Sequence, residues 1–220
     1  TASNNTAVGT SALVACTTGE QQVAVGSEAL DAVTTGAYNT AVGHNAGLSV
    51  TSGTLNTVVG GLAGDAITTG AYNTALGYDA LSAEDAGSAN TAIGALTLAQ
   101  QDAGADAFNT ALGYKAGYLI ENGGTNILIG YEAGYADSGS VSQLTAIGHN
   151  AGYRSTGGYS VAVGRNAGEE ETGGYGWTHI GNGAGQEQKV GSGVTNNTSL
   201  GYYTANKNIT GTNNTMIGAY

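Results

Sequence analysis

Apolar positions along this chain come in threes rather than in long stretches. Segments such as Thr40-Ala41-Val42, Thr74-Ala75-Leu76 and Thr91-Ala92-Ile93 are each followed at once by a glycine. The arrangement returns about every seventeen residues, at Gly9, Gly26, Gly43, Gly60, Gly77, Gly94, Gly113, Gly130, Gly148, Gly164, Gly181, Gly201 and Gly218. Alternation over three residues, bounded by turn formers, reads as a short strand. A helix is excluded because no 3,4 apolar spacing is sustained and glycine and β-branched residues fill every window. A fixed period over the whole chain marks a repeat architecture. The predicted fold class is all-β: a parallel β-solenoid or β-roll of about thirteen 17-residue coils, running through residues 1–220 as one continuous array. Parallel strands in neighbouring coils lie about 4.8 Å apart, so thirteen coils make a rod of roughly 60 Å.

Counting from the glycine as position zero, Asn stands at minus four in nine of the thirteen coils, among them Asn39, Asn56, Asn73 and Asn90. Asn suits a corner because it tolerates the left-handed region and bonds its own backbone. In the strand itself, Thr and Val share one face and Ala the other. Because Thr is replaced by Val23, Ile127 or Val161, the Thr/Val face is expected inward, with Val42, Leu76, Ile93, Leu112 and Ile147 in one inward stack. The small Ala column is then outward and offers close approach to another chain, so Ala75→Trp and Ala111→Trp should dissociate an oligomer. Gly43 and Gly77 are expected at positive φ. A second short strand is expected around the Ala at plus three, and the polar Thr-Thr-Gly corner, where insertions cluster, should face solvent.

Composition changes this picture in three ways. Leu, Ile, Val and Phe make up only 38 of 220 residues, and the net charge is −11. That balance fits disorder unless apolar residues fall in register, as they do here; a stacked repeat folds on little apolar mass. So thin an interior favours several chains packed side by side. Zero proline suits a ladder that needs every backbone N–H. The five basic residues are too few for a phosphate-tracking surface, which argues against nucleic acid as a partner. No apolar run is long enough to span a bilayer. The single Cys16 excludes an internal disulfide and is expected to be a small buried side chain. The chain begins and ends within a coil, as a segment of a longer array or a processed chain does.

The columns Asn-Thr-Ala-(Val/Ile/Leu)-Gly-x-x-Ala-(Gly/Leu), with their Thr-Thr-Gly corners, resemble repeats of phage tail-fibre-like and bacterial surface proteins. They are also similar to the head repeats of trimeric autotransporter adhesins. That resemblance implies a left-handed, homotrimeric parallel β-roll. The adhesin-head coil is shorter than this one, so strand and corner lengths do not carry over.

Candidate chemistry is sparse. No nucleophile-elbow, phosphate-loop or zinc-protease motif is present, so no enzyme activity and no cofactor are expected. His44 and His149 share the plus-one column six coils apart, and His179 replaces an Ala in its column; no metal site follows from them. Glu169-Glu170-Glu171 reads as a solvated edge. Tyrosine is more informative. Tyr114 and Tyr131 occupy plus one in consecutive coils with His149 next, and Tyr118, Tyr135 and Tyr153 occupy plus five. Parallel stacking makes these two surface ladders, which either cover thin core edges or form a strip for a cell-surface glycan or receptor. Ice-binding solenoids carry paired Thr ranks, but here the partner rank is missing and the Thr is expected inward. Glycosylation sequons stand at Asn4, Asn196, Asn197, Asn208 and Asn213. The expected function is a structural fibre or stalk of an extracellular, cell-surface or virion appendage, self-associating as a homotrimer and adhesive at its tip. The alternatives are a self-stacking extracellular filament and a glycan- or receptor-binding module using the tyrosine ladders.

Overall fold

The computed structural model describes residues 1–104, 107–136, 140–188, 193–207 and 211–219. These residues are all-β, with no helix among them. The chain divides into two compact units, Thr1–Asn109 and Thr110–Tyr220. In the first unit six strands, β1 (Thr6–Val8), β2 (Val23–Val25), β3 (Thr40–Val42), β4 (Thr57–Val59), β5 (Thr74–Leu76) and β6 (Thr91–Ile93), pair in sequence order. Every pairing is parallel with the columns in register, so Ala24 lies opposite Ala41 and Ala41 opposite Val58. The second unit carries β7 (Thr110–Leu112), β8 (Ile127–Ile129), β9 (Leu144–Ile147), β10 (Ser160–Val163), β11 (Gly174–Tyr175), β12 (Thr178–Ile180), β13 (Gly193–Val194), β14 (Thr198–Leu200) and β15 (Thr215–Ile217). Seven of these continue the same parallel pattern, while β11 and β13 form a separate two-stranded pair. The solenoid class read from the period is therefore present.

The corner glycine ends each strand for two physical reasons. Its φ is +143° at both Gly43 and Gly77, a region L side chains rarely adopt. In addition, a Cβ on Gly43 would land on the carbonyl oxygen of Gly60 in the next coil. After the glycine the chain forms a run of turns, not the second strand expected there. Left-handed residues recur in it, as at Asn45 (φ 56°) and Leu30 (φ 49°). Amides in that run bond both neighbouring coils: Asn45 N–H donates to Ser27 O at 3.0 Å and Gly47 N–H to Ala63 O at 2.9 Å. These bonds hold bulky residues at positive φ.

The faces are the reverse of the expectation. Ala24, Ala41, Ala75, Ala92 and Ala111 are fully buried, whereas Val42, Leu76, Leu112 and Ile147 are 36–46% exposed. The inward stack is thus the mid-strand Ala column, and the Thr/aliphatic residues point out. The coil is too thin to place large side chains on both inner walls. Mid-strand residues meet the plus-three alanines (Ala29, Ala46, Ala63, Ala80), the plus-four Leu30 and Leu81, and the plus-seven Val33, Val50 and Ile67, all fully buried. β-Branched residues on the outer face serve strand geometry rather than the core. Ala75→Trp and Ala111→Trp would therefore disrupt the coil itself, not an outer contact.

Volume is conserved across columns. Where plus four is Gly rather than Leu, another column supplies bulk. A Cβ on Gly134 would collide with Leu128, one on Gly168 would lie 2.9 Å from Trp177, and one on Gly185 would lie 2.5 Å from the His179 ring. This is interior close packing achieved by exchange between columns.

Asparagine also acts differently from the corner role expected. The left-handed residue is the one before it, as at Tyr38 and Tyr72 (φ 61° in both). Asn39, Asn73 and Asn90 are fully buried and Asn56 nearly so, and they bond the next coil. Asn39 Oδ1 accepts Asn56 N–H at 3.0 Å, Asn56 Oδ1 accepts Asn73 N–H at 2.9 Å, and Asn73 Oδ1 accepts Asn90 N–H at 3.0 Å. Each Nδ2 reaches the corner carbonyl fourteen residues on: Asn39 to Gly53 at 2.9 Å, Asn56 to Gly70 and Asn73 to Gly87 at 2.8 Å. Gln22 joins the column, its Oε1 accepting Asn39 N–H at 3.0 Å. An internal amide ladder of this kind saturates backbone groups that the tight corner leaves unpaired.

Candidate functional site

Three features stand apart from the repeating framework. The first is the outward strand face. Positions minus three and minus one hold Thr40/Val42, Thr57/Val59, Thr74/Leu76 and Thr91/Ile93 in the first unit. The second unit has Thr110/Leu112, Ile127/Ile129, Thr145/Ile147, Val161/Val163, Thr178/Ile180 and Thr198/Leu200. None of these positions is charged, although the chain carries 16 acids and 5 bases. Parallel register aligns each type into a rank, one of Thr and one aliphatic. With Thr outward, the inward assignment that told against ice binding does not hold, although the second rank is aliphatic and not Thr.

The second feature is aromatic. Tyr114 stacks on Tyr131 at 5.6 Å between ring centroids, and Tyr131 on His149 at 4.9 Å. Tyr118 stacks on Tyr135 at 5.5 Å, and Tyr135 on Tyr153 at 4.9 Å. The structure thus brings the five tyrosines singled out from the sequence into two ladders. Lys115 lies between them, its Nζ 5.4 Å from the Tyr114 and Tyr118 centroids and 6.0 Å from that of Tyr135. The Glu132 carboxylate beside Tyr131 pushes that phenol up from its ordinary value. Within each ladder ring faces are consumed by neighbouring rings, so edges and hydroxyls are what a ligand would meet.

The third feature lies inside the second unit and was not legible as a site. Glu171 occupies the plus-seven column, where the first unit places Val33, Val50 and Ile67. It is fully buried, not part of a solvated edge. His179 stands in the buried Ala column, between Ala162 and Ser199 in strand register. Its Nε2 lies 3.6 Å from Glu171 Oε2, and its ring stacks on Trp177 at 4.8 Å. Trp177 itself takes the Asn position of its coil. All three side chains are fully buried. Burial alone pushes the Glu171 carboxyl up to about 8; burial pushes the His179 imidazole down to about 4, against the opposing pull of a hydrogen bond to the Thr178 backbone.

Elsewhere the site residues are scattered. His44 and His149 are exposed in the plus-one column, and among the described residues no group of three or more His, Cys, Asp or Glu is placed to hold a metal ion. Cys16 is half-buried rather than buried, with its Sγ 3.6 Å from Asn5 Nδ2. Of the sequons, Asn4, Asn196 and Asn213 are exposed and Asn197 is buried; Asn208 lies outside the described residues. No protein-family model, curated protein or solved structure matches the chain.

Proposed function

We propose that this chain is a structural segment of an extracellular or virion-surface fibre, and that it self-associates, as a homotrimer, through the outward Thr/aliphatic face. The observation that carries the reading is the charge-free aliphatic rank, repeated coil after coil in a chain of net charge −11. Val42, Leu76, Leu112, Ile147, Ile180 and Leu200 keep 36–46% of their surface exposed. Contiguous apolar ranks of this kind mark an interface, and three identical chains can bring theirs together around one cyclic axis. The role is mechanical: backbone ladders in every coil make a stiff element that holds a binding tip away from a surface.

The test is sedimentation of the wild type and of the double variant Leu76→Lys with Leu112→Lys. Both positions point outward, so circular dichroism should be unchanged while the oligomer dissociates. A wild type that sediments as a monomer at micromolar concentration would overturn the reading; a monomer that also shapes ice crystals would reassign the face to ice. Mass rising without limit with concentration would favour the filament alternative.

A further inference from the structure

In the first unit the buried polar atoms without a hydrogen-bond partner are single and scattered, one each on Asn45, Asp65 and Asn90. In the second unit, besides one each on Asn150 and Asn166, they gather at one place. Among the described residues, eleven buried side-chain polar atoms lack a hydrogen-bond partner. Six of them belong to Glu171 (both oxygens), Trp177 Nε1, His179 (both ring nitrogens) and Ser199 Oγ. The sequence has made room for this cluster, since Gly168 and Gly185 stand where any Cβ would strike Trp177 or His179. We propose that Glu171, Trp177 and His179 form an interior pH sensor, a sealed cluster that loosens the coils around it when either the carboxyl or the imidazole becomes charged.

The geometry supplies the reason. A charge on Glu171 would sit in a fully buried space where neither of its oxygens has a hydrogen-bond partner, and a charge on His179 would meet only the Thr178 backbone and the Glu171 carboxyl 3.6 Å away. The groups facing Glu171 are few. His179 is the titratable one; Ser155 and Gln188 hold the same column in the coils before and after, and both are uncharged. On the surface of the same corner, Glu169 accepts from Asn166 Nδ2 at 2.7 Å and Gln186 Nε2 at 2.6 Å, and Glu170 lies 4.0 Å from Arg154.

Burial raises the Glu171 carboxyl from 4.5 to about 8 and lowers His179 from 6.5 to about 4. The unfolded chain releases the Glu171 proton above 4.5 while the folded chain keeps it to about 8, so this group's contribution is lost as pH rises through that range. The unfolded chain protonates His179 below 6.5 while the folded chain resists to about 4, so that contribution is lost as pH falls. Between about 4.5 and 6.5 the two slopes cancel. Stability of the second unit therefore has a plateau in mild acid, with a decline above about 6.5 and another below about 4.5. In a fibre this makes one stretch of coils the first to yield when pH leaves the mild range.

Trp177 is the chain's only tryptophan, so its emission reports this cluster alone. Emission should be titrated from pH 3.5 to 9 in the wild type, Glu171→Gln, Glu171→Val and His179→Ala, with denaturant midpoints followed by the same signal. The wild type should show an upper transition centred near 8, absent in both Glu171 variants, and an acid transition that His179→Ala removes. Its denaturant midpoint should fall between pH 6 and 8.5, and both Glu171 variants should flatten that fall. Glu171→Val restores the residue type found at Val33 and Val50, so it keeps the test sound if the amide is poorly accommodated. Wild-type emission and midpoint that stay constant from pH 5 to 9 would overturn the proposal. So would an upper transition that survives Glu171→Val.

Discussion

Two glutamates occupy the same place in two different coils, seven residues after the corner glycine, and only one is provided for. Glu84, in the first unit, is fully buried like Glu171 in the second. Its Oε1 accepts Gly87 N–H at 2.6 Å and its Oε2 accepts Gln101 Nε2 at 2.8 Å. Gln101 Oε1 in turn accepts Asn109 Nδ2 at 2.8 Å, so the carboxylate is tied into the amide ladder. Burial raises the Glu84 carboxyl too, while the bonds from Gln101 and Gly87 pull it back down. At Glu171 burial acts alone. There the ladder is interrupted: Leu144, Ser160 and Trp177 hold the minus-four position in three successive coils, and the donors go with it. The lesson is that a repeat tolerates a carboxyl in its core where the next coil supplies the second partner, and otherwise keeps the group neutral at a cost in stability.

The comparison presumes that the Ala column is interior in both units, and the largest expected effect tests that. Ala75→Trp and Ala111→Trp should each cost more than about 3 kcal/mol, by overpacking a sealed wall. Loss of β signal by circular dichroism is the readout; two well-folded variants would reverse the faces again. Next, Glu171→Val should stabilise the second unit by about 3 kcal/mol at pH 7, the cost of keeping that carboxyl protonated. Denaturation followed by Trp177 emission measures it, and the gain should vanish near pH 4.5, where the unfolded chain keeps the proton as well.

Gln101→Leu makes the first unit resemble the second. It strips one Glu84 bond and the Asn109 Nδ2 acceptor, so a loss of about 2 kcal/mol at neutral pH is expected. The variant should weaken further as pH rises above the ordinary carboxyl range, because a raised folded-state carboxyl loses its contribution as pH rises. A flat pH profile would mean the bonds from Gln101 do not set the difference between the two glutamates. The smallest effect is Tyr131→Ala. It removes the middle ring of one ladder on an exposed surface, and thermal unfolding should show a loss under about 1 kcal/mol. A much larger loss would make the ladders part of the core.

The sequence by itself determined the period, the parallel class, the corner glycines and the alignment of Tyr114, Tyr131 and His149, because a fixed repeat in a stacked coil converts spacing directly into neighbourhood. It did not determine which strand face was inward. A period of two says only that Ala41 and Val42 point opposite ways, and the choice depended on the width left by the turn run after each glycine, which no local pattern encodes. The Asn column was visible, yet its partners lie fourteen and seventeen residues on, in other coils. Glu171 beside Glu169 and Glu170 had every mark of a solvated run. Only the tertiary structure, by carrying the chain around the corner at that residue, turned one of three adjacent acids into the core and set it against His179.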